Sequence, residues 1–97
     1  MAKSRPYANA FEAVGFAPIE AEHLRIRADL MIAVERLIAE RQLTQAAAAK
    51  LLHVTQPRIS DLMRGKIERF SIDTLVEMLG RAGADVSVRV RRRRNAA

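Results

Sequence analysis

The chain reads as all-α: a compact helical bundle with a central helix-turn-helix, plus one short C-terminal β-strand that pairs across a dimer. Three observations predict this. Apolar residues recur at helical spacing from about Pro18 to Arg81. Thr44, Thr55 and Ser71 each stand just before such a run, where a hydroxyl oxygen accepts a bond from an orphan backbone N–H. Only Asp85–Arg91, DVSVRVR, alternates with the period of two that marks a strand.

A length of 97 residues supports one domain. Its divisions are expected at 1–17 (an N-terminal arm with a short helical turn), 18–84 (the helix-turn-helix domain) and 85–97 (a dimerisation strand with an arginine tail). Apolar residues form 49% of the chain and aromatics only 4%, so Leu, Ile, Val, Met and Ala must fill the core. No cysteine is present, which excludes disulfides and thiolate metal sites. The start of the chain lacks the apolar run of a signal peptide, and no window approaches the roughly 20 apolar residues of a membrane span. A cytoplasmic protein without a membrane partner is the expectation.

Met1–Asn9 is polar and aperiodic, the pattern of an arm. Ala10–Val14 suits one helical turn stopped by Gly15. Phe11, Val14 and Phe16 either close the domain's own core or bind a partner. Pro18 is tolerated in a first turn, and Glu20 and Glu22 suit the positive end of a helix. The pattern then runs to about Arg41, with Leu24, Leu30, Met31, Val34, Leu37 and Ile38 on one stripe. A kink near Ile26–Ala28 is allowed; Arg25, Arg27 and Arg36 fall off the stripe and are expected in solvent. His23 has no second ligand at metal-binding spacing and reads as a surface residue.

Thr44–Gly65 carries two short helices, Gln45–Leu52 and Gln56–Met63. Small residues at 46–49 let the two helix backbones approach closely. His53 takes the place between them where a left-handed conformation is often needed, a turn role that outweighs a catalytic one because no serine or acid is placed beside it. At 100° per residue, Ile59, Leu62 and Met63 cluster on one side of the second helix. Pro57, Ser60, Asp61 and Arg64 cluster on the other, with Gln56 and Arg58 at the flanks. That outward face is mixed in donors and acceptors, as base-edge reading needs, since Arg and Gln pair with guanine and adenine. A merely solvated face has similar composition; its place after a helix-turn-helix favours DNA. Gly65 ends the helix, and Lys66 and Arg69 begin a basic loop suited to phosphates. Ser71 then caps Ile72–Arg81, whose stripe is Ile72, Leu75, Val76 and Leu79, with Phe70 at the position of a hydrophobic staple. Gly80 and Gly83 mark its end.

In Asp85–Arg91 the valines 86, 88 and 90 share one face. A lone strand cannot satisfy its own backbone, so Val86, Val88 and Val90 are expected to dimerise with the same strand of a second copy; the alternative is a frayed tail. Arg91–Arg94 is a like-charged run without sequence specificity. Of the net charge of +6, residues 1–40 carry −1, residues 41–70 carry +4 and residues 71–97 carry +3. Basic charge thus sits on the central motif and the tail, the distribution a polyanionic partner requires. The candidate DNA contacts are Thr44, Gln45, Thr55, Gln56, Pro57, Arg58, Ser60, Asp61, Arg64 and Lys66. No paired carboxylates, His–Cys cluster or Gly-rich phosphate loop points to an enzyme, a cofactor or a metal.

Leu43, Thr44, Gln45, Ala49, Leu52, Val54, Thr55, Gln56, Ile59, Leu62 and Gly65 together resemble the helix-turn-helix of the Cro and lambda-repressor type, the xenobiotic-response-element (XRE) class. His53 replaces the usual turn glycine. The resemblance implies that Gln45 binds a phosphate and that Gln56, Pro57 and Ser60 face the major groove. A wider similarity covers most of the chain. VTQPRISDL, RFSIDTLVEML and the closing valines resemble the host-inhibition-of-growth (HigA-type) antitoxins. That resemblance implies a homodimer on a palindromic operator in its own promoter, and a RelE/HigB-like toxin, a ribosome-dependent mRNA-cleaving enzyme, as partner. Phe11–Phe16 is the segment we expect against a toxin. A stand-alone or phage-type repressor and a pure protein-binding module are the competing functions.

Overall fold

The computed structural model describes residues 15 and 17–92. The expected arm, the turn Ala10–Val14 with Phe11 and Phe16, and Arg93 and Arg94 lie outside the described residues. Among those described, the chain forms α1 (Pro18–Glu40), α2 (Gln45–Leu52), α3 (Gln56–Met63), a 3₁₀ segment (Ile67–Arg69) and α4 (Ile72–Arg81).

α1 opens with Pro18 at its first position, where the missing N–H costs nothing, and the Glu20 carboxylate accepts from the Ala17 N–H at 3.2 Å. It is one continuous helix of 23 residues, with no break at Ile26–Ala28. Its buried residues are Ala21, Ala28, Met31, Val34 and Ile38. The other helices start where the sequence places caps. Thr44 Oγ1 accepts from Ala47 N–H at 3.0 Å, Thr55 Oγ1 from Arg58 N–H at 3.4 Å, and Ser71 Oγ from Thr74 N–H at 3.1 Å. Each cap satisfies a donor that the first helical turn cannot.

One core joins all four helices. Met31, Val34 and Ile38 meet Ala48, Ala49 and Leu52 of α2, Ile59 and Leu62 of α3, Phe70, and Leu75, Met78 and Leu79 of α4. Ala48 and Ala49 are buried, and α2 and α3 pack on each other. α1 and α4 pack on each other, and Arg41 ties their ends by donating from Nη2 to the Ala82 carbonyl at 2.8 Å.

The expected C-terminal strand is absent: residues 84–92 have no regular structure, and no strand occurs among the described residues. Val88 is 83% exposed and Val90 89%. Alternation makes a segment compatible with a sheet, but only a partner's ladder makes it a strand, and the described residues offer none. Two stripe assignments also shift. Met63 is 43% exposed on α3, and on α4 Met78 is buried while Val76 is exposed. Both helices are short, and a rotation of one residue decides which side chain turns inward.

Burial pushes the half-buried Glu35 carboxyl of α1 above its ordinary value. The folded state therefore disfavours the charged form, so ionisation costs stability as pH rises through the unfolded value toward the folded one, and nothing below it. Glu35→Gln should raise the melting temperature at pH 7 and leave it unchanged near pH 3, measured by circular dichroism. An equal gain at both values would mean that charge is not the cause.

Candidate nucleic-acid interface

The two helices of the motif present their N-termini through Thr44 and Thr55, both exposed. Each threonine oxygen accepts a backbone bond, so its O–H is left to donate outward. Gln45, Gln56 and Pro57 are exposed beside these caps. Free N–H groups at a helix start and a nearby hydroxyl suit a phosphate oxygen.

His53 joins α2 to α3 with φ +58, the left-handed conformation usually left to glycine. Its Nδ1 lies 2.8 Å from Arg81 Nη1, a contact between the turn and the end of α4. Left-handed backbone costs an L-residue on the order of 1 kcal/mol. The Arg81 contact is exposed and offsets little of it. His53→Gly should therefore raise the melting temperature by a few degrees, as read by thermal unfolding. A fall would show that the ring–Arg81 contact outweighs the strain.

Along α3 the outward residues are not equivalent. Gln56, Pro57 and Arg64 are exposed, whereas Arg58, Ser60 and Asp61 are half-buried. Arg58 lies over the Phe70 ring, 4.8 Å from its centroid. Asp61 Oδ2 accepts from Arg69 Nη1 at 3.1 Å. Gly65, at φ +73, turns the chain out of α3, and Lys66 follows, its N–H bonded to the Asp61 carbonyl at 3.0 Å. Arg64, Lys66 and Arg69 thus gather at the C-terminal end of α3, and Thr44, Gln45, Thr55 and Gln56 stand at the helix starts. Val86, Val88 and Val90 belong to the exposed segment after α4.

Sequence reasoning missed Arg27. It was expected in solvent, yet its Nη1 donates to the carbonyls of Ile67 at 3.2 Å and Phe70 at 3.3 Å. Its position flanks the buried stripe, but nothing local signals acceptors 40 and 43 residues away. Arg25 is likewise drawn down, against Asp29 at 3.5 Å. Among the described residues no His/Cys/Asp/Glu group is arranged to hold a metal ion, and no helix is long and apolar enough to cross a membrane.

A capped helix pair crossing at alanines, with a polar second helix and a cluster of cations at its end, defines a helix-turn-helix DNA-binding domain. The family model described as a helix-turn-helix domain matches residues 13–91. A solved structure assigned to the XRE family of transcriptional regulators is similar at 32% identity, covering 80% of this chain and 88% of that one, with a TM-score of 0.72. No curated protein matches the chain. The chain belongs to the XRE family of helix-turn-helix transcriptional regulators.

Proposed function

We propose that this regulator is the antitoxin of a type II toxin–antitoxin pair, binding as a homodimer to a palindrome in its own promoter and neutralising an mRNA-cleaving toxin by direct contact. The observation that carries the DNA-binding part is α3, which offers Pro57, Ser60 and Arg64 on the side away from Ile59 and Leu62, with Gln56 and Arg58 at the flanks of that face. Thr44, Gln45, Thr55 and Lys66 supply backbone contacts around it, and Asp61 borders the same face. The antitoxin part is supported by the family-like phrases VTQPRISDL and RFSIDTLVEML, with Phe11–Phe16 proposed as the toxin-binding segment.

A single copy of α3 reads only a few base pairs, so useful affinity needs two copies on one duplex. Exposed Val86, Val88 and Val90 offer apolar surface to the second copy without requiring a strand.

Footprinting on the DNA upstream of the gene, with and without the neighbouring gene product, tests the whole reading. Protection of a palindrome that changes when a small basic neighbour is added supports it. Protection without any such neighbour or effect favours a stand-alone repressor, and no protection at low salt overturns operator binding. Sedimentation equilibrium of the full chain should give twice 10.9 kDa.

A further inference from the structure

The segment after α3 grips the outward face of that helix from the side and is itself gripped from behind. In front, the Phe70 ring carries the Arg58 guanidinium, and Arg69 holds Asp61. Only 15% of the Asp61 side chain is exposed, against 51% of Arg69. Behind, Arg27 of α1 bonds the two carbonyls that bracket the segment.

A free surface arginine samples many rotamers and loses that freedom when it binds. A guanidinium lying over an aromatic ring is held through its face, while its N–H donors lie at its edge. None of the Arg58 side-chain donors meets a protein acceptor among the described residues. Such an edge matches the O6 and N7 acceptors of guanine. Asp61, one helical turn along, is the carboxylate best placed on α3 to compete for that guanidinium and to repel phosphate. Arg69 occupies it.

We propose that Phe70 and Arg69 are positioning residues for base recognition: the ring presets Arg58 for a guanine edge in the major groove, and Arg69 withholds Asp61 from it. This rests on the reading of α3 as the DNA-reading helix, and it adds that Asp61 works inside the protein instead of on a base.

The test selects duplexes from a random pool with the full chain, then compares the selected duplex with a scrambled one of equal length over a series of salt concentrations. Phe70→Leu keeps an apolar side chain and removes the aromatic face. It should lose about tenfold in affinity for the selected duplex and nothing on the scrambled one, with an unchanged salt slope. Combined with Arg58→Ala it should be no worse than Arg58→Ala alone. Arg69→Ala should show the same selective loss, and adding Asp61→Asn should restore binding. Additive losses, or no rescue by Asp61→Asn, overturn the proposal. So does an equal loss on scrambled DNA with a salt slope reduced by about one, which is the mark of a plain phosphate contact. If Phe70→Leu does not fold, the partly exposed Arg69–Asp61 pair decides. Failure to select any duplex overturns the DNA-binding reading itself, whereas tight selective binding with additive losses overturns only this one.

Discussion

Gln56→Ala, Arg58→Ala and Ser60→Ala together should reduce affinity for a specific duplex by roughly a hundredfold or more, since each good side-chain-to-base pair contributes about 1–3 kcal/mol of discrimination. Binding to random DNA should fall only by the share of Arg58's single charge, because Arg64 and Lys66 remain at the end of α3. The fold should survive: Gln56 is exposed and Ser60 half-buried, and α3 is anchored by Ile59 and Leu62 on its other side. Arg58 is the one member with a structural cost. Its contact with Phe70 is a cation–π pair, for which about 0.5–2 kcal/mol is usual. The triple variant should therefore melt a few degrees lower than the parent while keeping its helical spectrum. Fluorescence anisotropy with a duplex selected from a random pool gives the affinity. An unaltered value would remove α3 from the role of reading helix.

That residual cost marks the boundary of what the sequence makes legible. Caps, helix lengths and the alanine crossing are local: Thr44, Thr55 and Ser71 find their partners three residues on, so spacing alone predicts them. The polar outward face of α3 is legible for the same reason. Contacts that cross the chain are not. Phe70 can be read as a staple before Ser71, but its ring beneath Arg58 depends on how the turn after Gly65 folds back. Asp61 looks like a groove residue at 100° per residue, yet Arg69, eight positions on, claims it. Arg27 looks solvated until α1 is laid along the 3₁₀ segment. The valine segment fails in the opposite direction. Its periodicity is genuine, but a strand is a property of a pair, and no second edge exists among the described residues.

Phe70→Ala should be the most damaging single change to stability. The ring is 1% exposed and is the largest fully buried side chain among the described residues. It belongs to the single buried cluster to which every helix contributes, so truncation opens a cavity inside that shared core. Phe→Ala substitutions of this kind cost about 3–5 kcal/mol, against roughly 5–15 kcal/mol for a whole domain. Each kcal/mol shifts the midpoint by about 4–8 °C in a domain of this size, so the melting temperature should fall by roughly 15 °C or more. The loss also removes the support beneath Arg58 and leaves the Arg27 bond to the residue-70 carbonyl on a loosened segment. Stability and recognition should consequently fall together in Phe70→Ala but separate in Phe70→Leu, where an apolar side chain is kept and only the aromatic face goes. A thermal melt showing less than about 1 kcal/mol of loss for the alanine variant would mean that the core closes without the ring. In that case the segment between α3 and α4 could not be the fixed support on which the reading of α3 depends.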